Sequence, residues 1–139
     1  MAAKVEVLTF QCCAGDPVHN VGLFLAAHEE CAELQTQPAR AWLGKTLHAL
    51  QSVGRTEVLV RVNGENAGGG IIARGFDPHV GECIEILCQY VLPEFRNMGV
   101  SARIMRKAVK LAKGSVLAYT HRIGDWKYLT QYRRINAFT

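Results

Sequence analysis

The stretch from Glu82 to Tyr119 changes its hydrophobic period twice, and no other feature restricts the fold of this chain as much. "ECIEILCQYVL", Glu82 to Leu92, is apolar enough for a long strand. Pro93 to Gly99 reads as a loop. From Ser101 to Lys113 the period becomes helical: Ala102, Ile104, Met105, Ala108, Val109 and Ala112 form the apolar side, while Arg103, Arg106, Lys107, Lys110 and Lys113 take the polar side. Gly114 stops the helix and "SVLAYT" resumes as a strand. A strand, a helix and a strand in this order predict a right-handed parallel crossover.

The rest of the chain supplies the neighbours of that unit. Lys4 to Phe10 alternates as a strand, and Gly15, Asp16 and Pro17 mark a turn. Val21 to about Glu33 is helical, Pro38 interrupts, and "ARAWLGKTLHALQS" predicts a second helix with Trp42, Leu43, Leu47 and Leu50 on one side. Val58, Val60 and Val62 alternate into Asn63-Gly64, a hairpin signal. Gly68 to Gly70 weaken the return strand and predict a bulge or a close backbone approach. "DWKYLTQYRR" reads as a last short helix capped by Asp125, and "INAFT" as a final half-strand. The expected class is α/β, a mixed α+β sheet covered by helices, in one domain spanning residues 1–139.

Composition excludes several functions. Five cysteines without framework spacing or a C-x-x-C pair are expected as reduced thiols of a cytoplasmic protein. Cys12 and Cys13 are adjacent, so their side chains diverge in extended backbone, and the five histidines form no H-E-x-x-H pair; no metal site is expected. No apolar run is long enough to cross a bilayer, so no membrane role is expected, and "MAAKVEVLTFQCC" is a poor signal peptide. From Glu94 onward there are ten Lys or Arg residues against two acids. Such a basic third suits an acidic protein, a phosphorylated cofactor or a nucleic acid; interleaved aromatics and module signatures are lacking, which disfavours the last.

Two readings of Arg96 to Ser101 stand open on spacing alone. One is an ordinary capped helix beside an arginine. The other is a loop that points backbone N–H groups and a helix N-terminus at an anion. Walker A is excluded because no G-K-[ST] follows, and the dinucleotide G-x-G-x-x-G is absent.

"VLPEFRNMGVSARIM" resembles motif A of the GCN5-related N-acetyltransferase (GNAT) superfamily, a strand ending near V-x-P followed by [RQ]-x-x-G-x-[GA] and a helix. Arg96, Gly99 and Ser101 fall on the signature positions, with Ser101 where Gly or Ala is usual. The element order resembles that family over nearly the whole chain, shortened at the C-terminus, in the manner of a minimal or phage-encoded member. The resemblance implies a GNAT-like acyl-CoA N-acyltransferase fold and acetyl-CoA as cofactor. It places Gln89, Tyr90, Val91 and Leu92 beside the pantetheine arm, and Arg96, Asn97, Met98, Gly99, Val100 and Ser101 around the pyrophosphate. Arg103 is expected toward the nucleotide.

Acetyl transfer needs a neutral amine and a proton for the leaving thiolate. By the period of two, Glu85 shares a strand face with Leu87, Gln89 and Val91, opposite Cys88; the resemblance implies that Glu85 is the base. It also implies a tyrosine acid on the last helix, Tyr132 by its position in "YLTQYRRINAF" or Tyr128 one turn earlier. A backbone N–H near Leu92 is expected to steady the oxyanion. The implied function is transfer of an acetyl group to an amine of a small molecule or protein. The alternative is a catalytically weak interaction protein that binds an acidic partner through its basic third. A homodimer is expected to cover the C-terminal sheet edge.

Overall fold

The computed structural model describes residues 2–137. Six strands form one sheet in sequence order: β1 (Val5–Cys12), β2 (Arg55–Val62), β3 (Glu65–Asp77), β4 (Gly81–Val91), β5 (Val116–Gly124) and β6 (Lys127–Arg134). Every neighbouring pair is antiparallel except β4 and β5, which are parallel. Helix α3 (Val100–Leu111) makes the crossover between them. Helices α1 (Val21–Glu30) and α2 (Ala39–Gln51), joined through a 3₁₀ turn at Ala32–Thr36, lie between β1 and β2 in sequence. The mixed sheet with flanking helices is the fold class that the pattern predicts.

The core lies between the sheet and α3. Val58, Val60, Ile72, Ile86 and Leu117 pack there against Val100, Ile104, Ala108 and Ala112. The three glycines of β3 explain how closely the helices approach. A Cβ on Gly68 or Gly70 would meet Val100 Cγ1 at 2.7 Å or Ile104 Cγ2 at 2.9 Å, and one on Gly69 would meet Leu23 Cδ1 of α1 at 3.1 Å. Close approach is therefore their role, and the bulge falls just before them, where Ala67 has no partner between Asn66 and Gly68. The Asn63-Gly64 turn has φ of 51° and 82°, both positive as a two-residue hairpin of this kind requires.

The structure corrects four expectations. Residues 127–134 form strand β6, not a helix. Tyr128, Leu129 and Tyr132 satisfy either period over so short a run, and the free edge of β5 offers backbone hydrogen bonds that only a strand can take. On β4, Ile71 pairs with Cys88 while Ile72 pairs with Ile86, so Leu87 is bulged out. The bulge reverses the parity of the strand: Glu85, Cys88 and Tyr90 share the α1 face, and Ile86, Gln89 and Val91 face α3. Helix α3 begins at Val100 rather than at Ser101, with Gly99, at φ 77°, as its N-cap. Helix α1 ends at Glu30 rather than near Glu33. Of the expected final half-strand, Ile135 exchanges backbone hydrogen bonds with Gly114 and Ser115, and Phe138 and Thr139 lie outside the described residues. Among the described residues, no helix is long and apolar enough to cross a membrane.

Candidate active site

Strands β4 and β5 pair at only two positions, Ile84 with Leu117 and Glu85 with Ala118. Beyond them the strands part, and a cavity of about 980 Å³ opens between β4, β5, α1 and α2. On one side it is lined by Gln89, Tyr90, Val91, Arg96 and Ser101, on the other by Phe10, His19, Leu23, Trp42 and Glu57. Such a volume suits a drug-sized ligand or the arm of a cofactor.

The β4 side adjoins unmet hydrogen-bonding capacity. The side-chain oxygen of Gln89 is buried without a partner. An orphan of this kind costs free energy unless a ligand satisfies it. Asn97 (φ 66°) and Gly99 (φ 77°) bend the loop before α3, and no side chain caps the helix. Its first-turn N–H groups are therefore open to an anion. The Arg103 guanidinium donates to the Gly99 carbonyl at 3.1 Å, at the foot of the same loop.

Two ion-pair clusters strap the end of α1 and the 3₁₀ turn after it to the parted strands and the loop after β4. Arg96 Nη2 donates to both carboxylate oxygens of Glu30, at 2.8 and 2.6 Å, and the Tyr90 hydroxyl donates to Glu30 as well. The Arg96 hydrogen bonds, chiefly, hold Glu30 below the usual carboxylate range. Arg122 and Tyr128 both donate to Glu33, whose pKa falls to about 2, mainly through Arg122. Burial first, and then Glu33, push Tyr128 up to about 12.

Not every expected residue reaches the cavity. Gln89, Tyr90, Val91, Arg96, Ser101 and Tyr128 line it; Leu92, Asn97, Met98, Gly99, Val100 and Arg103 belong to the adjoining loop and helix start. The Leu92 N–H donates to the Ala67 carbonyl at 2.9 Å and is not available to a substrate oxygen. Tyr132 donates to Asp77, at the far end of β6 from Tyr128. Four residues apart on a strand separates the two tyrosines by roughly 13 Å, where one helical turn would have stacked them. The Glu85 carboxylate lies over Gly75, whose added Cβ would meet Oε2 at 2.2 Å, and Glu85 is not part of the cavity lining. Cys88 lines the cavity, with a thiol that burial, and then Glu57, push up to about 12. It stays protonated and is not a nucleophile.

A second polar group borders the cavity on the side of β1 and β2. Arg55 and Glu57 are both buried, with Arg55 Nε donating to Glu57 Oε2 at 2.7 Å. The His19 backbone N–H donates to Glu57 Oε1 at 2.8 Å, and His19 Nδ1 lies 3.3 Å from the same oxygen. Ligand atoms of Cys12, His19 and Glu57 fall within 4.8 Å of one another. The one available signal was an acid inside the apolar alternation of "TEVLVRV"; its histidine lies 38 residues away, and only the fold joins them.

The profile of the Acetyltransferase (GNAT) family matches residues 23–129. No curated protein matches. The aminoglycoside N-acetyltransferase AAC(6')-Iy, solved with CoA, shares 13% identity at a TM-score of 0.55 over 80% of this chain and 70% of its own. A GCN5-related glucosamine N-acetyltransferase region of a fungal multi-domain GH3 beta-N-acetylglucosaminidase gives 14% identity and a TM-score of 0.59 over 91% of this chain, which spans only 14% of that protein. The loading GNATL domain of CurA from Lyngbya majuscula gives 12% identity and 0.51 over 83% of this chain and 64% of its own. At these identities the likeness is one of fold.

Proposed function

The chain belongs to the Acetyltransferase (GNAT) family, and from that premise we propose that it transfers an acetyl group from acetyl-CoA to the amine of an apolar small molecule. The observation that carries the reading is the cavity at the parting of β4 and β5, lined by Gln89, Tyr90 and Val91 of β4 with Arg96 and Ser101 beyond them. Bound acetyl-CoA would supply the activated thioester. Gln89 and the β4 backbone from Ile86 to Tyr90 offer hydrogen bonds to the pantetheine amides. The loop Arg96 to Ser101 offers open N–H groups to the pyrophosphate, with Arg103 beside it. Tyr128, a lining residue whose raised pKa keeps its hydroxyl protonated, would exchange its bond to Glu33 for donation to the leaving thiolate.

The acceptor wall supports the choice of amine. Phe10, Leu23, Phe24, Leu34, Trp42 and Leu50 line it, and its two carboxylates, Glu30 and Glu57, are each held by an arginine. Among the described residues no free acid is left in that wall to bind a polycation. Calorimetry with acetyl-CoA and CoA, followed by thiol release with phenethylamine, spermidine and kanamycin, tests both parts. Turnover is expected to be fastest with phenethylamine. Spermidine or kanamycin as the better acceptor sinks the apolar assignment. CoA binding without turnover of any amine favours a non-catalytic protein that binds an acidic partner through its basic third. Strand β6 is exposed along its whole length at a sheet edge, and the same reading takes a second copy of the chain as its cover, checked by light scattering.

A further inference from the structure

We propose that His19, oriented by Glu57, is the proton acceptor for the amine. The inference rests on the acetyl-transfer reading and assigns the base that reading leaves open. Glu57 is anchored on both oxygens: Arg55 donates to Oε2, and the His19 backbone N–H donates to Oε1. Oε1 then meets His19 Nδ1 at 3.3 Å, which selects the tautomer protonated on Nδ1. The imidazole stacks on Phe10, with ring centroids 4.0 Å apart and planes 13° from parallel, so its orientation is fixed on a second side. Nε2 takes no partner among the described residues, and His19 lines the cavity. The arrangement gives an open, basic ring nitrogen backed by a buried carboxylate, as in the histidine–acid pairs of hydrolases.

The position also fits. Glu57 pairs across β2 and β3 with Ile71, and Ile71 pairs with Cys88 beside the β4 bulge. The pair and the bulge are two strand spacings apart, about 10 Å, a distance that side chains and one bridging water span. The step is a single proton transfer: an alkylammonium gives one proton to Nε2, leaving a neutral amine and an imidazolium whose Nδ1–H stays hydrogen-bonded to the Glu57 carboxylate. The imidazolium later returns its proton to solvent. The charged and titratable groups facing the ring network are Glu57 and Arg55 from β2, Cys12 from β1, Asp16 from the loop after it and Cys88 from β4; burial, chiefly, raises the Cys12 thiol, so it remains a donor to Glu57. A transition metal on Cys12, His19 and Glu57 is the competing use of the same atoms, but Arg55 already neutralises the carboxylate.

The test uses the full chain as wild type, His19→Ala and His19→Gln. Two-dimensional ¹⁵N imidazole spectra of the protein without ligand, with His19 assigned by its loss in His19→Gln, are expected to show the Nδ1–H form. His19→Ala is expected to keep its acetyl-CoA affinity within about twofold and to lose about 100-fold in kcat/KM for phenethylamine, partly restored by added imidazole. The acid limb of the wild-type pH profile should disappear in His19→Gln. An Nε2–H tautomer, turnover of His19→Ala near wild type, or one zinc ion bound per chain in a His19-dependent manner overturns the assignment while leaving the acetyltransferase reading intact. Wild-type protein that binds acetyl-CoA but turns over no amine overturns both.

Discussion

The two faces of the sheet are built on different terms. The α3 face is dry: Ile72, Ile104, Leu117, Val60, Val62 and Val100 are its largest fully buried side chains, and they interlock across glycines. The α1–α2 face encloses the cavity and is held by ion pairs, Arg55–Glu57, Arg96–Glu30 and Arg122–Glu33. Close packing gives the first face stability, whereas the second keeps open volume and fixed charges at some cost in stability. A site needs a rigid wall and a hollow, and this sheet puts one on each side.

Cavity-forming substitutions give the sharpest break between the faces. Ile104→Ala, at a side chain with no exposure, is expected to lose about 4 kcal/mol in urea unfolding, and Leu23→Ala, at the cavity wall, about half of that. Equal losses would mean that the α1 face is as tightly packed as the other. Next in size is a binding effect. Arg96→Ala should weaken CoA about tenfold by calorimetry, roughly one charged hydrogen bond. Glu30→Gln, by releasing Arg96, should not weaken it at all; a matching loss in Glu30→Gln would show that the strap itself holds the ligand.

A pH effect follows from the second strap. Glu33 has its folded pKa lowered to about 2, below its ordinary value of 4.5, so its contribution to stability is complete above that value and is lost as pH falls toward 2. The Tm gap between wild type and Glu33→Gln is thus expected to be constant above about pH 5 and to close on acidification. A gap that widens in acid would contradict the ion pair. The smallest effect is expected at Glu85→Gln, within about threefold of wild-type kcat/KM, because its carboxylate lies over Gly75 rather than in the cavity. A loss near that of His19→Ala would return the base to β4.

Much of the α3 side was legible in advance, because its elements announce themselves locally. The valine alternation, the Asn63-Gly64 turn, the glycine run and the amphipathic helix each carry their own signal, and Arg96 to Ser101 stands where that signal puts it. The acceptor side was not. One bulged residue, Leu87, reversed which side chains of β4 face α1 and took Gln89 to the face opposite Glu85. Tyr128 and Tyr132, one turn apart on a helix, became distant on a strand whose period a short run cannot declare.

What the sequence by itself determined is the order of elements, the glycine groove that seats α3 and the tight loop before that helix, since each depends on neighbours within a few residues. Tertiary structure alone decided which polar groups meet. His19 reaches Glu57 across 38 positions, Arg122 reaches Glu33 across 89, and β4 parts from β5 after two paired residues. Those meetings are set by sheet register and helix docking, where a slip of one residue exchanges one face for the other.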